Sequence, residues 1–111
     1  MSAIQRTETN WAFAAHGLTF LDGGILLPLL LYMWKSDESE FVAFHALQSF
    51  YFGLLILLVS LCSCGILAIP GLIAYFLYEL RACIAANDGE WYRLPFAGDW
   101  AARKHPPPEA T

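Results

Sequence analysis

Four polar residues inside apolar stretches are the side chains best suited to chemistry: His45, Gln48, Glu79 and Arg81. His45 and Gln48 are three positions apart, so they share one face of a helix. If the second and third apolar segments form a hairpin, Glu79 and Arg81 reach a similar depth within the inner leaflet. We therefore predict a polar cluster of these four residues, or of some pairs among them.

This cluster has two interpretations. A histidine beside a carboxylate changes its charge near neutral pH, which is what a proton relay needs. Alternatively, Arg81 extends to the membrane surface, while His45 and Gln48 bind lipid headgroups or lock the hairpin. We favour the structural interpretation over proton chemistry.

His16 is the other histidine within an apolar segment. Two histidines in a helical bundle suggest haem or metal. If the first segment crosses the membrane once, however, His16 lies near the outer surface and His45 near the inner one, so they share no ligand. Only a re-entrant first segment would bring them to the same side. We predict no catalytic residue, no cofactor and no metal.

The sequence Asp22-Gly23-Gly24 is the second place of interest. A carboxylate in the middle of a membrane helix costs about 2.5–3.5 kcal/mol on insertion scales. Small residues let helices approach closely, which predicts a packing notch with Asp22 bonded across it. The functional alternative is an ion-binding carboxylate at the bilayer midplane, and we favour the notch.

Other motifs give no support for catalysis. Cys62 and Cys64 form a C-x-C pair that could bind metal or oxidise, but cysteine in membrane helices is usually a small apolar filler. The sequence has no Walker loop, dinucleotide fingerprint, nucleophile elbow or H-E-x-x-H motif. We expect that the protein is not an enzyme.

The composition explains where these residues must sit. Hydrophobic residues make up 58% of the 111 positions and charged residues only 14%, against about a quarter in soluble domains. The net charge of −4 and the lack of a basic stripe argue against nucleic acid as a partner. Three segments come close to or exceed the roughly 20 apolar residues that cross a bilayer. These segments are residues 11–34, 41–61 and 66–86.

We predict an all-α membrane bundle of three transmembrane helices, the first kinked or broken near Asp22. The alternative for this first segment is a re-entrant hairpin of two short legs. A polar N-terminal tail, residues 1–10, precedes the transmembrane domain of residues 11–95, and residues 96–111 are predicted to be a flexible tail.

The basic residues predict an orientation. With three spans, most of them fall on the side of the C-terminal tail: Lys35, Arg81, Arg93, Arg103 and Lys104. Arg6 stands alone on the other side. The positive-inside rule then places the N-terminus outside and the C-terminus in the cytoplasm.

Several stretches, in order along residues 11–95, resemble an uncharacterised family of small bacterial membrane proteins. The matching residues are Ala15-His16, Pro28-Leu29-Leu30, Lys35-Ser36-Asp37-Glu38-Ser39-Glu40-Phe41-Val42, His45-Ala46-Leu47-Gln48-Ser49-Phe50 and Ala86-Asn87-Asp88-Gly89-Glu90-Trp91-Tyr92-Arg93-Leu94-Pro95. That family is similar to the channel-forming component of the chloroplast inner-envelope protein import (TIC) complex. The resemblance implies a bundle of three or four helices and no enzymatic activity.

For function, we expect a non-enzymatic accessory or assembly subunit of a larger membrane complex, in the bacterial cytoplasmic (inner) membrane. Its partners would be the lipid bilayer and other membrane subunits or copies of itself. The alternative is an oligomeric transport or translocation component that forms a pathway for ions, protons or polypeptide.

Overall fold

The structure is a computed structural model that describes residues 4–22 and 25–107. This part of the chain is helical and contains no strand, as the all-α prediction requires. Its helices are α1 (Arg6–Gly17), α2 (Thr19–Asp22), α3 (Leu26–Lys35), α4 (Glu40–Cys62), α5 (Ala68–Asn87) and α6 (Ala97–Lys104).

Helices α4 and α5 form a hairpin that corresponds to the second and third predicted segments. Ser39 starts α4, where its hydroxyl accepts a hydrogen bond from the backbone N–H of Val42 at 3.2 Å. Cys64 and Gly65 make the turn between the helices with positive φ angles of 55° and 84°. At 1.5 Å per residue the two helices are about 34 and 30 Å long, and both are long and apolar enough to cross a membrane.

The first predicted segment is not a single helix. It divides into α1, α2 and α3, and the Thr19 hydroxyl caps the end of α1 by donating to the carbonyl of His16 at 2.6 Å. Both α1 and α3 pack on α4, and α1 also packs on α5. Three transmembrane helices are therefore not confirmed, because the segment makes two short legs against one hairpin.

The predicted packing notch or ion site falls at this break. Asp22 is the last residue of α2, whereas Gly23 and Gly24 lie outside the described residues. The notch and the ion site therefore both stay predictions.

Contacts between distant parts of the chain place its N-terminal part beside its C-terminal part. Arg6 donates to the carbonyl of Asn87 at 3.3 Å. The Ser39 hydroxyl donates to the Glu8 carboxylate, and His105 lies 3.0 Å from the Glu40 carboxylate. The N-terminal and C-terminal parts therefore lie at the same end of the molecule, and the expected orientation across the membrane stays a prediction.

Part of the predicted flexible tail is a packed helix. Helix α6 runs antiparallel to the start of α4: the Leu94 N–H donates to Gln48 Oε1 at 2.7 Å, and His105 reaches the α4 N-terminus. Its inner face consists of buried small residues, Ala97, Gly98 and Ala101. A Cβ at Gly98 would lie 2.7 Å from Gln48 Oε1, so this close approach requires glycine.

The hairpin is enclosed at one end and uncovered at the other. Residues 41–49 of α4 are all buried by α1, α3, α5 and α6. Toward the α4–α5 turn, large apolar side chains are exposed, such as Ile66 (79%) and Ile69 (72%). The polar chemistry of the chain therefore sits in the enclosed end.

Candidate functional site

A row of buried polar side chains joins α1, α4 and α5 in the enclosed end. His16 Nδ1 lies 3.1 and 3.2 Å from the two carboxylate oxygens of Glu79. On its other edge, His16 Nε2 lies 2.9 Å from His45 Nδ1. His45 Nε2 lies 2.9 Å from the backbone carbonyl oxygen of Glu90. The side chains of His16, His45 and Glu79 are fully buried. We call these three side chains the His–Glu row.

The number of hydrogens in the His–Glu row can be counted from the backbone carbonyl of Glu90 at its end. A carbonyl oxygen only accepts, so His45 Nε2 carries a hydrogen and donates it to Glu90. The His16–His45 contact and the His16–Glu79 contact each need one hydrogen as well. Three contacts therefore hold three hydrogens, whichever atom of each pair carries the hydrogen.

This count fixes the charge of the His–Glu row. If the hydrogen between Glu79 and His16 sits on Glu79 and the one between the rings sits on His16, all three side chains are neutral. If the hydrogen between Glu79 and His16 sits on His16 instead, an imidazolium pairs with a carboxylate. If the hydrogen between the rings also moves to His45, the positive charge moves with it, and the sum is again zero. A neutral row avoids the large cost of an unpaired charge in an apolar interior.

Neighbouring polar groups support the row. The Ser49 hydroxyl, one helical turn after His45, donates to the Glu79 carboxylate at 3.2 Å. On the same side of α5, the Cys83 thiol donates to the carbonyl of Phe13 in α1 at 3.4 Å. The row therefore fastens α1 to the hairpin through polar contacts rather than through apolar packing alone.

The structure brings together two of the four residues predicted as a cluster. His45 and Glu79 flank His16, which bridges them. Gln48 makes no hydrogen bond to the row within the described residues: its oxygen accepts from the Leu94 N–H, and its buried Nε2 has no partner there. Arg81 lies at the surface, 3.9 Å from the Glu90 carboxylate and 4.8 Å from the centre of the Tyr92 ring.

His16 is the member of the site that sequence reasoning misplaced. The single-span interpretation puts it at the opposite side of the membrane from His45, yet the two rings are in contact. The signal that could have found it lies in the break at Asp22-Gly23-Gly24 and the following Pro28. A helix broken there returns its two legs to one side, as the re-entrant alternative requires.

The geometry of the row limits its chemistry. His16 Nε2 and His45 Nδ1 face each other across one hydrogen bond, so they are not both free to bind a metal. Within the described residues no group of three His, Cys, Asp or Glu side chains could hold a metal ion. Cys62 and Cys64 are exposed free thiols at the α4–α5 turn.

Two clefts lie elsewhere on the described surface. One, of about 320 Å³, separates the start of α1 from the α3–α4 turn and is lined by Glu8, Trp11 and Lys35 among others. The other, of about 380 Å³, is mostly apolar and lies between Thr19 and Tyr75. Neither of these two clefts is lined by a member of the His–Glu row.

Comparison with known proteins identifies relatives by sequence. The chain is 38% identical over 97 residues to a "UPF0132 membrane protein" of Archaeoglobus fulgidus, covering 81% of this chain and 91% of that protein. No solved structure matches. With this relative and the two apolar helices α4 and α5, the chain is a membrane protein.

The family also corrects the resemblance inferred from sequence stretches. Nothing in the comparisons links the chain to the channel-forming component of the chloroplast import complex, so that kinship is wrong. Short ordered stretches such as His45-Ala46-Leu47-Gln48 were therefore not enough to identify the family. Residues 7–101 instead match a different family over most of the chain. The chain belongs to the magnetosome magnetite crystal formation protein family.

Proposed function

We propose that this chain is a non-enzymatic membrane protein that serves as an accessory or assembly subunit of a larger membrane complex. One observation carries the proposal: the groups able to do chemistry are closed within the fold. His16, His45 and Glu79 are fully buried and bonded to one another. A substrate does not reach a row that is buried in this way, so the row serves to hold helices together. The functional contacts are then made by the outer surface of the protein.

The surface that would meet partners is the uncovered half of the hairpin. Along α5, exposed apolar side chains recur every three or four residues and so form one stripe. This stripe consists of Ile69, Ile73, Leu77, Leu80 and Ile84. In lipid, helices associate through van der Waals packing. Such a stripe supports contacts with other membrane subunits or with a second copy.

We place the protein in the cytoplasmic membrane with its enclosed end facing the cytoplasm. The fold brings Arg6 to the same end as the five other basic residues, next to the end of α5. A concentration of lysine and arginine at one end supports a cytoplasmic position for that end. The C-terminal part then lies in the cytoplasm, as expected from the sequence, and the N-terminal part lies on the same side of the membrane.

The family name supplies a process for this accessory role. It connects its members with magnetite crystal formation in magnetosomes. We propose that the chain acts in that process in a host that forms such crystals, through the membrane rather than by catalysis. Deletion of the gene should then change crystal size or number, and both wild-type protein and a Glu79→Gln variant should restore them.

Site-specific photo-cross-linking tests the accessory role in intact cells. A photoreactive amino acid in place of Leu77 should give one discrete protein adduct, because Leu77 belongs to the exposed stripe. The same amino acid in place of Glu38, in the polar α3–α4 turn, serves as the control and should not give that adduct. Adducts to lipid alone at Leu77 would contradict the proposal.

Proton transport is a second candidate, and the His–Glu row favours it. The hydrogen between Glu79 and His16 can sit on either partner, and so can the one between the two rings. Liposomes that contain the purified protein and a pH-sensitive dye would test this candidate. It requires proton flux that is lost in Glu79→Gln, whereas the accessory role predicts no flux in either protein.

A further inference from the structure

The outer face of α6 changes character along its length. Trp100 and Lys104 are four positions apart and lie on one face of α6. Phe96 precedes the helix, and its ring lies 6.3 Å from that of Trp100. His105 sits beside Glu40 at the start of α4, whereas the ring of Trp100 lies 6.0 Å from that of Tyr51, three turns further along α4. The face is therefore basic at the end of the molecule and aromatic at a greater depth.

Phe96 is held in a strained backbone conformation. Its φ of 61° and ψ of −52° are those of the central residue of a γ-turn, and the Ala97 N–H closes the turn on the carbonyl of Pro95 at 2.6 Å. A bulky residue rarely adopts positive φ. Phe96 is 66% exposed, so little packing inside the chain compensates for the strain. The turn instead directs an apolar ring outward beside Trp100.

The two ends of the segment from Arg93 to Lys104 differ in whether their basic side chains are paired with a carboxylate. At the deeper end, Arg93 donates to the Asp99 carboxylate at 3.1 Å, so that charge is matched within the chain. At the outer end, Arg103 and Lys104 are exposed and have no acidic partner among the described residues. Free cations above exposed aromatic rings complement a phospholipid, which has its phosphate above its acyl chains.

We propose that the outer face of α6 binds an anionic phospholipid. Arg103 and Lys104 bind its phosphate-containing headgroup, and Trp100 with Phe96 contacts its glycerol and upper acyl region. The site depends on the protein lying in a membrane and not on the accessory role. Aromatic side chains favour this interfacial depth, and anionic lipids attract basic residues at the membrane surface.

Native mass spectrometry of the purified full chain in mild detergent tests the site. The probes are phosphatidylglycerol and phosphatidylcholine with identical acyl chains. The wild-type protein should retain phosphatidylglycerol preferentially. Arg103→Gln and Lys104→Gln should each lower its affinity about fivefold, with phosphatidylcholine binding unchanged.

A second variant separates ring contact from charge. Phe96→Gly relieves the positive φ, so its unfolding temperature should equal or exceed that of the wild-type protein. Because the ring is lost, binding of both lipids should fall. A merely structural role of Phe96 predicts the reverse: a less stable protein with unchanged lipid binding.

Three results would overturn the proposal. The first is an unchanged preference for phosphatidylglycerol in both charge variants. The second is an equal loss in Arg6→Gln, a control at the same end but outside α6. The third is displacement of the bound lipid by soluble glycerol phosphate at equal concentration, which would assign the site to a free phosphate.

Discussion

Glu79 can occupy an apolar helix because its partner shares a hydrogen with it. An acidic residue at the centre of a membrane helix costs about 2.5–3.5 kcal/mol on insertion scales. His16 and Ser49 both contact the Glu79 carboxylate, and the His–Glu row is neutral wherever its hydrogens sit. At the residue scale, α1 is therefore held by hydrogen-bonding capacity and not by a net charge.

Substitution of Glu79 separates these two properties. In Glu79→Gln the amide nitrogen can donate to His16 Nδ1 and the amide oxygen can accept from Ser49. We expect a free energy of unfolding within about 1 kcal/mol of the wild-type value. Glu79→Ala leaves His16 Nδ1 buried without a partner and should cost about 1–3 kcal/mol from this loss alone. Denaturation with sodium dodecyl sulfate, followed by circular dichroism, measures both values.

A surface carboxylate serves as the control for these variants. Glu38 is exposed, and its ion pair with Lys35 is long, at 3.5 Å. Glu38→Ala should therefore change the free energy of unfolding by less than about 0.5 kcal/mol. If Glu79→Gln lost as much stability as Glu79→Ala, the carboxylate charge itself would be required, and the neutral row would be wrong.

At the scale of elements, the hairpin could be predicted from sequence, whereas for the first segment the sequence predicted a break near Asp22 but did not decide between one span and two legs. Helices α4 and α5 are long and apolar, and a bilayer alone requires helices of that length. The division of the first segment depends on a contact with Glu79, 63 positions after His16. Local pattern carries no information about such a contact, which is why Gln48 and Arg81 were assigned to a cluster that they do not join.

Helix α6 was missed for a related reason. Its inner face is made of Ala97, Gly98 and Ala101, and small residues give no apolar stripe that a sequence pattern can detect. Their value lies in close approach to Gln48 on α4. The polar and proline-rich sequence around α6 therefore predicts a flexible tail, although α4 provides a surface on which α6 packs.

Gly98→Ala tests the close approach of α6 to α4. The added methyl would lie 2.7 Å from Gln48 Oε1 on α4 and 2.5 Å from Arg93 Cβ in the loop before α6. Because the backbone near Arg93 must shift, we expect a loss of about 1–3 kcal/mol and faster tryptic cleavage at Arg93. Rates of limited proteolysis in mild detergent measure the effect.

Gly17→Ala is the matched control. A methyl there would meet Cys83 Sγ at 3.7 Å, an ordinary contact distance. Cleavage at Arg93 should therefore keep its wild-type rate. Equal rates in Gly98→Ala and the wild-type protein would mean that α6 is not seated against Gln48 as described.

At the scale of the whole molecule, the fold separates a charged end from an apolar one. The α4–α5 hairpin carries no charged residue between Phe41 and Tyr78, and its turn exposes apolar side chains and two thiols. The N-terminal part reaches Asn87 and the C-terminal part reaches Glu40. This arrangement predicts that the N-terminal and C-terminal parts lie on one side of the membrane and that Cys62 and Cys64 lie on the other.

Thiol labelling in spheroplasts tests this arrangement. In a background without native cysteines, Thr7→Cys and Lys104→Cys should both resist a membrane-impermeant maleimide until the membrane is opened. Both positions are exposed, so their protection would report the side of the membrane and not burial within the chain.

The native thiols, which we expect on the opposite side of the membrane from Thr7 and Lys104, serve as the control. Cys62 and Cys64, restored one at a time, lie on the apolar turn and should react from outside if α4 and α5 cross the bilayer. Reaction of Thr7→Cys from outside while Lys104→Cys stays protected would instead match a first segment that crosses once. That result would separate His16 from His45 and remove the row that joins α1 to the hairpin.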